Sequence, residues 1–282
     1  MIIDFHTHTF PASISARVIE GLSNTGHVCY FTDATSESLS GSMKEAGIDL
    51  SVNLPVMTRA DQVSSIHNGL FRRLEELGEN GILTFGGLHP EFENYREEIR
   101  RLKAYGIKGV KLHSPFQGVS IHDPKNKRII SALSEEGMIT IIHAGWDVSF
   151  LDFDYASVRA ILEVIEDVRP EKLVLGHMGG WQEWDDVEKY LAGAPVWFDT
   201  AYSFGPVIRK KGQEELMPYT QNLTQDGFVR LARKHGTEKI LFGSDSPWAK
   251  QEDYLQFLLS CDFTEEEKKQ IAGENAAALL AL

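Results

Sequence analysis

The feature that most restricts the fold is an alternation sustained along the whole chain, a short β-branched or apolar run followed by an amphipathic segment. Strands are expected near Ile2–Thr7, Leu50–Val56, Ile82–Leu88, Ile107–His113, Met138–His143, Leu173–His177, Val196–Thr200 and Ile240–Ser244. Helical patterns lie between them: one closes on Gly78, one runs from Tyr95 to Gly106, and others cover Val158–Ile165 and Phe228–Arg233. Strands alternating with helices pair in parallel through right-handed crossovers. Eight such units fit a closed (β/α)₈ barrel, the TIM barrel, and 282 residues is close to the ~250 typical of one. The competing architecture is an open doubly wound sheet, but the G-x-G-x-x-G that would favour it is absent after the first strand. With no repeat, low-complexity tract or Ser/Gly linker, residues 1–282 are expected to form a single domain. Two connections, Thr9–Ser36 and Ala201–Gln225, are long enough to carry function or extra small elements.

A formal net charge of −13 and the lack of any Lys/Arg-rich run argue against nucleic-acid binding and against docking on an anionic membrane. Neither observation excludes an anionic small-molecule substrate, because a bound metal dominates its pocket. The two cysteines, Cys29 and Cys261, are far apart and read as reduced thiols. The first residues lack a basic segment followed by a long apolar run, so no secretion signal is expected and the protein is expected in the cytoplasm.

Chemistry concentrates at the ends of strands that are otherwise apolar. His6 and His8 form an H-x-H pair, and residues two apart on a strand face the same side. His143 and His177 each end an apolar run, Asp245 ends the last one, and Lys111 interrupts Gly109–His113. Core packing gives no reason for four histidines, a lysine and an aspartate at these places. Neutral imidazole and carboxylate suit Zn²⁺ and similar ions, with an open position for a water whose pKa falls toward ~7. His113 shares a side with Lys111 and either touches substrate or lines the site; His89 ends the third strand and has the weaker claim. His27, His67, His122 and His235 read as solvated. Trp146, Trp181, Tyr202, Phe204 and Trp248 follow the same strand ends and would wall a pocket or simply pack loops. The run Arg209-Lys210-Lys211 reads as a solvated face.

Five phrases carry a family resemblance: Ile3-Asp4-Phe5-His6-Thr7-His8, Gly106-Ile107-Lys108-Gly109-Val110-Lys111-Leu112-His113, Gly176-His177-Met178-Gly179-Gly180, Leu241-Phe242-Gly243-Ser244-Asp245-Ser246-Pro247-Trp248 and Gly273-Glu274-Asn275-Ala276-Ala277. The chain resembles the amidohydrolase superfamily, in particular its amidohydrolase-related branch. That resemblance implies a distorted (β/α)₈ barrel with one or two divalent metals, zinc being the expected ion. It implies His6, His8, His143 and Asp245 as ligands of the principal metal, with Asp245 also accepting the proton of the metal-bound water. His177 becomes either a ligand of a second metal or the group that polarises substrate. Lys111 is either carboxylated and bridging, as in binuclear members, or an inward amine that supports the site.

The expected function is hydrolysis of an ester, lactone or amide-type bond in a small molecule by a metal-activated water. Asp245, His177 and Lys111 would be the catalytic groups, and His113, Trp181 and Trp248 the candidate substrate contacts. The alternative is non-oxidative decarboxylation, or hydration, of an unsaturated or aromatic carboxylic acid, since that branch resembles decarboxylases as well. A binding protein that has lost catalysis is the third reading, and the complete ligand set argues against it. A homo-oligomer is a further possibility.

Overall fold

The apolar runs form strands whose side chains are almost wholly buried, as β-branched and aliphatic residues covered on both faces require. In the computed structural model, which describes residues 1–150, 154–212 and 222–282, nine short strands appear. They are β1 (Ile3–Thr7), β2 (Leu50–Asn53), β3 (Ile82–Thr84), β4 (Gly86–Gly87), β5 (Gly109–Leu112), β6 (Ile139–Ile142), β7 (Leu173–Leu175), β8 (Trp197–Asp199) and β9 (Ile240–Leu241). All eight expected strands are present, each shorter than its apolar run, and the third is split into β3 and β4. The ladder changes partner at Phe85. Gly81, just before β3, accepts from the Ser51 amide, whereas β4 pairs with β5.

The chain divides into two compact units. The first comprises Met1–Asn53, Asn80–Ile82 and Asp199–Leu282. At its centre β1 runs parallel to β2, with Ile3 opposite Leu50 and Asp4 opposite Ser51. On its other side β1 is bonded to the segment that continues β9: Phe5 N–H donates to Phe242 O at 2.8 Å, and Asp245 N–H to His6 O at 2.9 Å. Thr200 N–H donates to Leu241 O on the far side of β9. Strand ends from the two extremes of the sequence therefore adjoin. Buried Asp4 ties them together, its carboxylate accepting from the Ser244 hydroxyl at 2.5 Å and from Gln251 Nε2 at 2.8 Å.

The second unit comprises Leu54–Glu79 and Leu83–Phe198. Its strands run in the order β4-β5-β6-β7-β8, all parallel, so that Lys111 stands opposite Ile141, and Ile142 opposite Leu175. Helices Tyr95–Ala104, Pro124–Glu135 and Val158–Val168 return the chain between these strands. Leu102, Ile129, Leu133, Ile161 and Val164 are completely buried. Each such side chain contributes ~1.5–3 kcal/mol of burial.

Some local expectations are corrected. Gly78 lies inside helix Leu74–Glu79, and the chain turns instead at Gly81, whose φ of +72° only glycine adopts readily. Gly106, with φ +79°, does end the Tyr95 helix as expected. His67 and His235 are buried, not solvated. His67 sits on the inner face of helix Val63–Phe71, its Nδ1 2.5 Å from Glu98 Oε1 while Nε2 accepts from the Gly87 amide. Helical phase, not mere membership of a helix, decides burial. The long connection after β1 contains helix Ala12–Gly26. Part of the connection after β8 lies outside the described residues. No helix among the described residues is long and apolar enough to cross a membrane.

Candidate metal centre

In the first unit β1 delivers His6 and His8 to one place, as its two-residue period requires. The chain beyond β9 delivers Asp245, in a left-handed conformation with φ 70° that an L-residue adopts only under local constraint. Two backbone bonds supply that constraint: Asp245 N–H donates to His6 O, and Trp248 N–H donates to Asp245 O. His6 Nε2 lies 3.4 Å from Asp245 Oδ1, and His8 Nε2 lies 3.1 Å from the same oxygen. The two imidazoles meet edge to face, with ring centres 5.2 Å apart. Ligands of a tetrahedral ion at ~2.1 Å stand about 3.4 Å from one another, so these spacings suit one.

Asp199, at the end of β8, determines the tautomer of His6. Its Oδ2 is 2.8 Å from His6 Nδ1, with both groups fully buried, while Oδ1 accepts from the Ala201 amide. An ionised carboxylate only accepts, so the His6 proton is on Nδ1 and the Nε2 lone pair faces Asp245. A lone pair facing a carboxylate oxygen at 3.4 Å is relieved by a shared cation. On that chemistry the residues fit a divalent metal, with Asp199 as the carboxylate that orients the ligand histidine. Sequence reasoning passed over Asp199, although the polar pair Asp199-Thr200 closing an apolar run was a readable signal.

The other expected site residues gather in the second unit. Lys111, on β5, is completely buried. His113 follows that strand and stacks on His143, with ring centres 4.4 Å apart. His143 Nε2 is 2.8 Å from the Trp146 carbonyl, which can only accept, so this nitrogen carries the proton. His143 Nδ1 then accepts from His177 Nε2–H at 2.9 Å. Burial holds the His143 imidazole well below its usual pKa, and the neighbouring His113, His177 and Lys111 charges push it the same way. Asp147, unnoticed in the sequence, places Oδ2 3.7 Å from His113 Nε2 and 3.8 Å from His143 Nε2. Nothing in a loop position such as Trp146-Asp147 distinguishes this aspartate from a solvated one before the fold is known.

Of the aromatic candidates, Trp181 is buried, and its backbone bonds to Ala144 and Trp146. Trp248 is half-buried in the turn after Asp245. His89 is buried with a lowered pKa, burial being the cause. Glu183 was not anticipated. It accepts from the Trp146 indole and from the Val158 amide at the start of its helix, and burial raises its pKa.

The family model for amidohydrolases matches residues 80–282. The chain belongs to the amidohydrolase family. No curated protein matches this amidohydrolase in sequence. Among solved structures, it is similar to a TIM-barrel protein of Bordetella bronchiseptica, at 15% identity with a TM-score of 0.72 over 99% of this chain and 98% of that one. A dihydroxybenzoic acid decarboxylase of Polaromonas, determined with bound manganese and the inhibitor 2-nitroresorcinol, matches at 13% identity and TM-score 0.67, covering 100% and 97% of the two chains. A Pseudomonas putida protein, named provisionally as a 2-pyrone-4,6-dicarboxylic acid hydrolase, matches at 16% identity and TM-score 0.65, covering 99% and 97%. At these identities the likeness establishes the fold: this amidohydrolase has the (β/α)₈ architecture expected from the strand–helix alternation.

Proposed function

We propose that this amidohydrolase cleaves an ester, lactone or amide-type bond of a small molecule with water, using a divalent ion, Zn²⁺, held by His6, His8 and Asp245. The observation that carries this reading is the convergence of two imidazole nitrogens on Asp245 Oδ1 at 3.4 and 3.1 Å, with Asp199 fixing one tautomer. When bound, the ion supplies Lewis acidity toward a substrate oxygen and lowers the pKa of water. The protein's part is orientation and proton transfer. Asp245 turns Oδ1 toward the histidines, accepts the proton lost by the attacking water and returns it to the leaving group. Asp199 accepts from His6 Nδ1–H and so leaves the Nε2 lone pair facing Asp245.

By resemblance rather than by position, His143 is a further ligand of this ion, and His177 and Lys111 steady negative charge on substrate oxygen. Carboxylation of Lys111 belongs to the same set of proposals.

Decarboxylation of an aromatic or unsaturated acid is the second reading. The named activity of the Polaromonas relative favours it, and so does Arg209, a half-buried cation within electrostatic reach of Tyr202. Burial lowers the Arg209 pKa from a value high enough to keep it charged. In this reading Asp245 and His177 manage a proton at carbon, and Arg209 pairs with the substrate carboxylate.

Product analysis on a panel of esters, lactones, amides and hydroxylated aromatic acids decides between the two. Hydrolysis gives a new acid without CO₂, whereas CO₂ release without a new acid overturns the first reading. In either case Asp245→Asn lowers kcat/KM by ~10²–10⁴-fold.

A further inference from the structure

Gln117 closes the short helix Ser114–Gln117 that follows β5, and it is only 7% exposed. Its Nε2 donates to Leu88 O at 2.6 Å and to Met57 O at 3.1 Å. Backbone carbonyls only accept, so chemistry assigns which end of this amide is nitrogen and which is oxygen. Both N–H groups are thereby used, and the amide plane is fixed. The remaining atom, Oε1, is buried and has no hydrogen-bond partner among the described residues. Ser114, 1% exposed, is in the same condition: its Oγ is buried and has no partner among the described residues either. Residues three apart on a helix share a face, with Cβ atoms ~5–6 Å apart, so a hydroxyl and an amide oxygen are offered side by side.

The pair stands at the functional end of the fold. Met57 lies beyond β2, Leu88 directly after β4 and Ser114–Gln117 beyond β5, and all four residues belong to the second unit. Gln117 therefore ties together three segments that leave the C-terminal ends of strands. That is the end of a (β/α)₈ barrel where substrate is handled. Joining the loops accounts for Nε2 but leaves Oε1 and the Ser114 hydroxyl unexplained, whereas buried polar atoms of folded proteins are ordinarily paired.

We propose that Ser114 and Gln117 are specificity-determining residues that bind a hydroxyl group of the substrate, which donates to Gln117 Oε1 and accepts from Ser114 Oγ–H. The inference rests on the reading of this chain as an enzyme of small molecules, whichever of the two reactions it performs. Chemistry limits what fits. Oε1 needs a donor, which an ether, ketone or carboxylate oxygen cannot supply. A hydroxyl both donates and accepts, and so answers both atoms. The Gln117 amide is already held by two bonds, so it loses little freedom when the ligand arrives. Replacing the ligand hydroxyl by a methoxy group leaves Oε1 desolvated and unpaired, and should weaken binding by ~5–100-fold.

Binding rather than turnover tests it, so a failure of the catalytic reading, seen in product analysis and in Asp245→Asn, is read separately. The full chain, loaded with Zn²⁺ and labelled with ¹⁵N, is titrated with phenol and with its methyl ether, anisole. The Gln117 side-chain amide is the pair of resonances lost in Gln117→Lys, where lysine keeps a donor for the Met57 and Leu88 carbonyls but has no acceptor. Phenol is expected to shift that pair, and anisole to leave it in place. Ser114→Ala should keep the wild-type stability in urea, because the lost hydroxyl has no partner within the described chain, yet bind phenol ~3–10-fold more weakly. The proposal is overturned if phenol leaves the Gln117 pair unmoved, as a buried water alone on these atoms predicts. It is overturned equally if anisole shifts the pair as phenol does, or if Ser114→Ala binds phenol as tightly as the wild type.

Discussion

In the proposed metal centre Asp199 would act through His6 and not on the ion itself. Both its oxygens are committed, Oδ2 to His6 Nδ1 and Oδ1 to the Ala201 amide. An asparagine has only one acceptor oxygen and must abandon one of these bonds. Asp199→Asn should therefore weaken metal binding by ~10–100-fold, the usual effect of removing the carboxylate behind a ligand histidine. Competition against a chromophoric chelator measures it, and unchanged affinity would show that the His6 tautomer is set in some other way. At this scale legibility in the sequence was uneven. His6, His8 and Asp245 could be read because they end apolar runs, where a polar side chain has no packing role. Asp199 and Asp147 could not be assigned, since their partners lie 193 residues away in one case and across a loop in the other. His67 misled for a related reason: its partner, Glu98, is on a different helix.

Strand β1 packs closely against one glycine in the segment that continues β9. A Cβ on Gly243 would stand 2.9 Å from the Cβ of His6. Gly243→Ala should force β1 and the β9 segment apart, costing about 1–3 kcal/mol and weakening metal binding together. Gly69, inside helix Val63–Phe71, is different: a Cβ added there would meet nothing within 4 Å. Gly69→Ala should raise stability by ~0.5–1 kcal/mol and leave metal affinity alone. Urea unfolding and chelator competition on both variants separate the two effects. Element by element, the strand–helix alternation was a reliable guide because burial on both faces leaves a continuous apolar signature. The break at Phe85 was not legible. Apolar composition continues through Ile82–Leu88, whereas the interruption depends on which strands the two ends pair with.

For the molecule as a whole, Asp4 makes stability depend on pH. Burial raises its pKa from 3.8 to about 6, against the opposing effect of bonds from Ser244, Gln251 and the His6 amide. The folded state thus holds a proton that the unfolded chain releases near pH 4. Stability from this group is fully present below that point and is lost as pH rises through about 6. The difference amounts to about 3 kcal/mol, at 1.36 kcal/mol per pKa unit. Asp4→Asn has no such slope. Its stability relative to wild type should rise by about that amount between pH 4 and pH 7, as followed by denaturant titration at each pH. A flat difference would mean that Asp4 is ionised throughout.

The two histidines of β1 and the aspartate they face are 237 residues apart in sequence, counted from His8. During synthesis at ~5–20 residues per second, the histidines are made roughly 10–50 s before Asp245 exists. Throughout that interval a growing chain offers a passing ion two imidazoles and no closing carboxylate. If the proposed centre is the metal site, selection of its ion would wait until Asp245 has been made. The choice would then be made among the ions around a nearly finished chain.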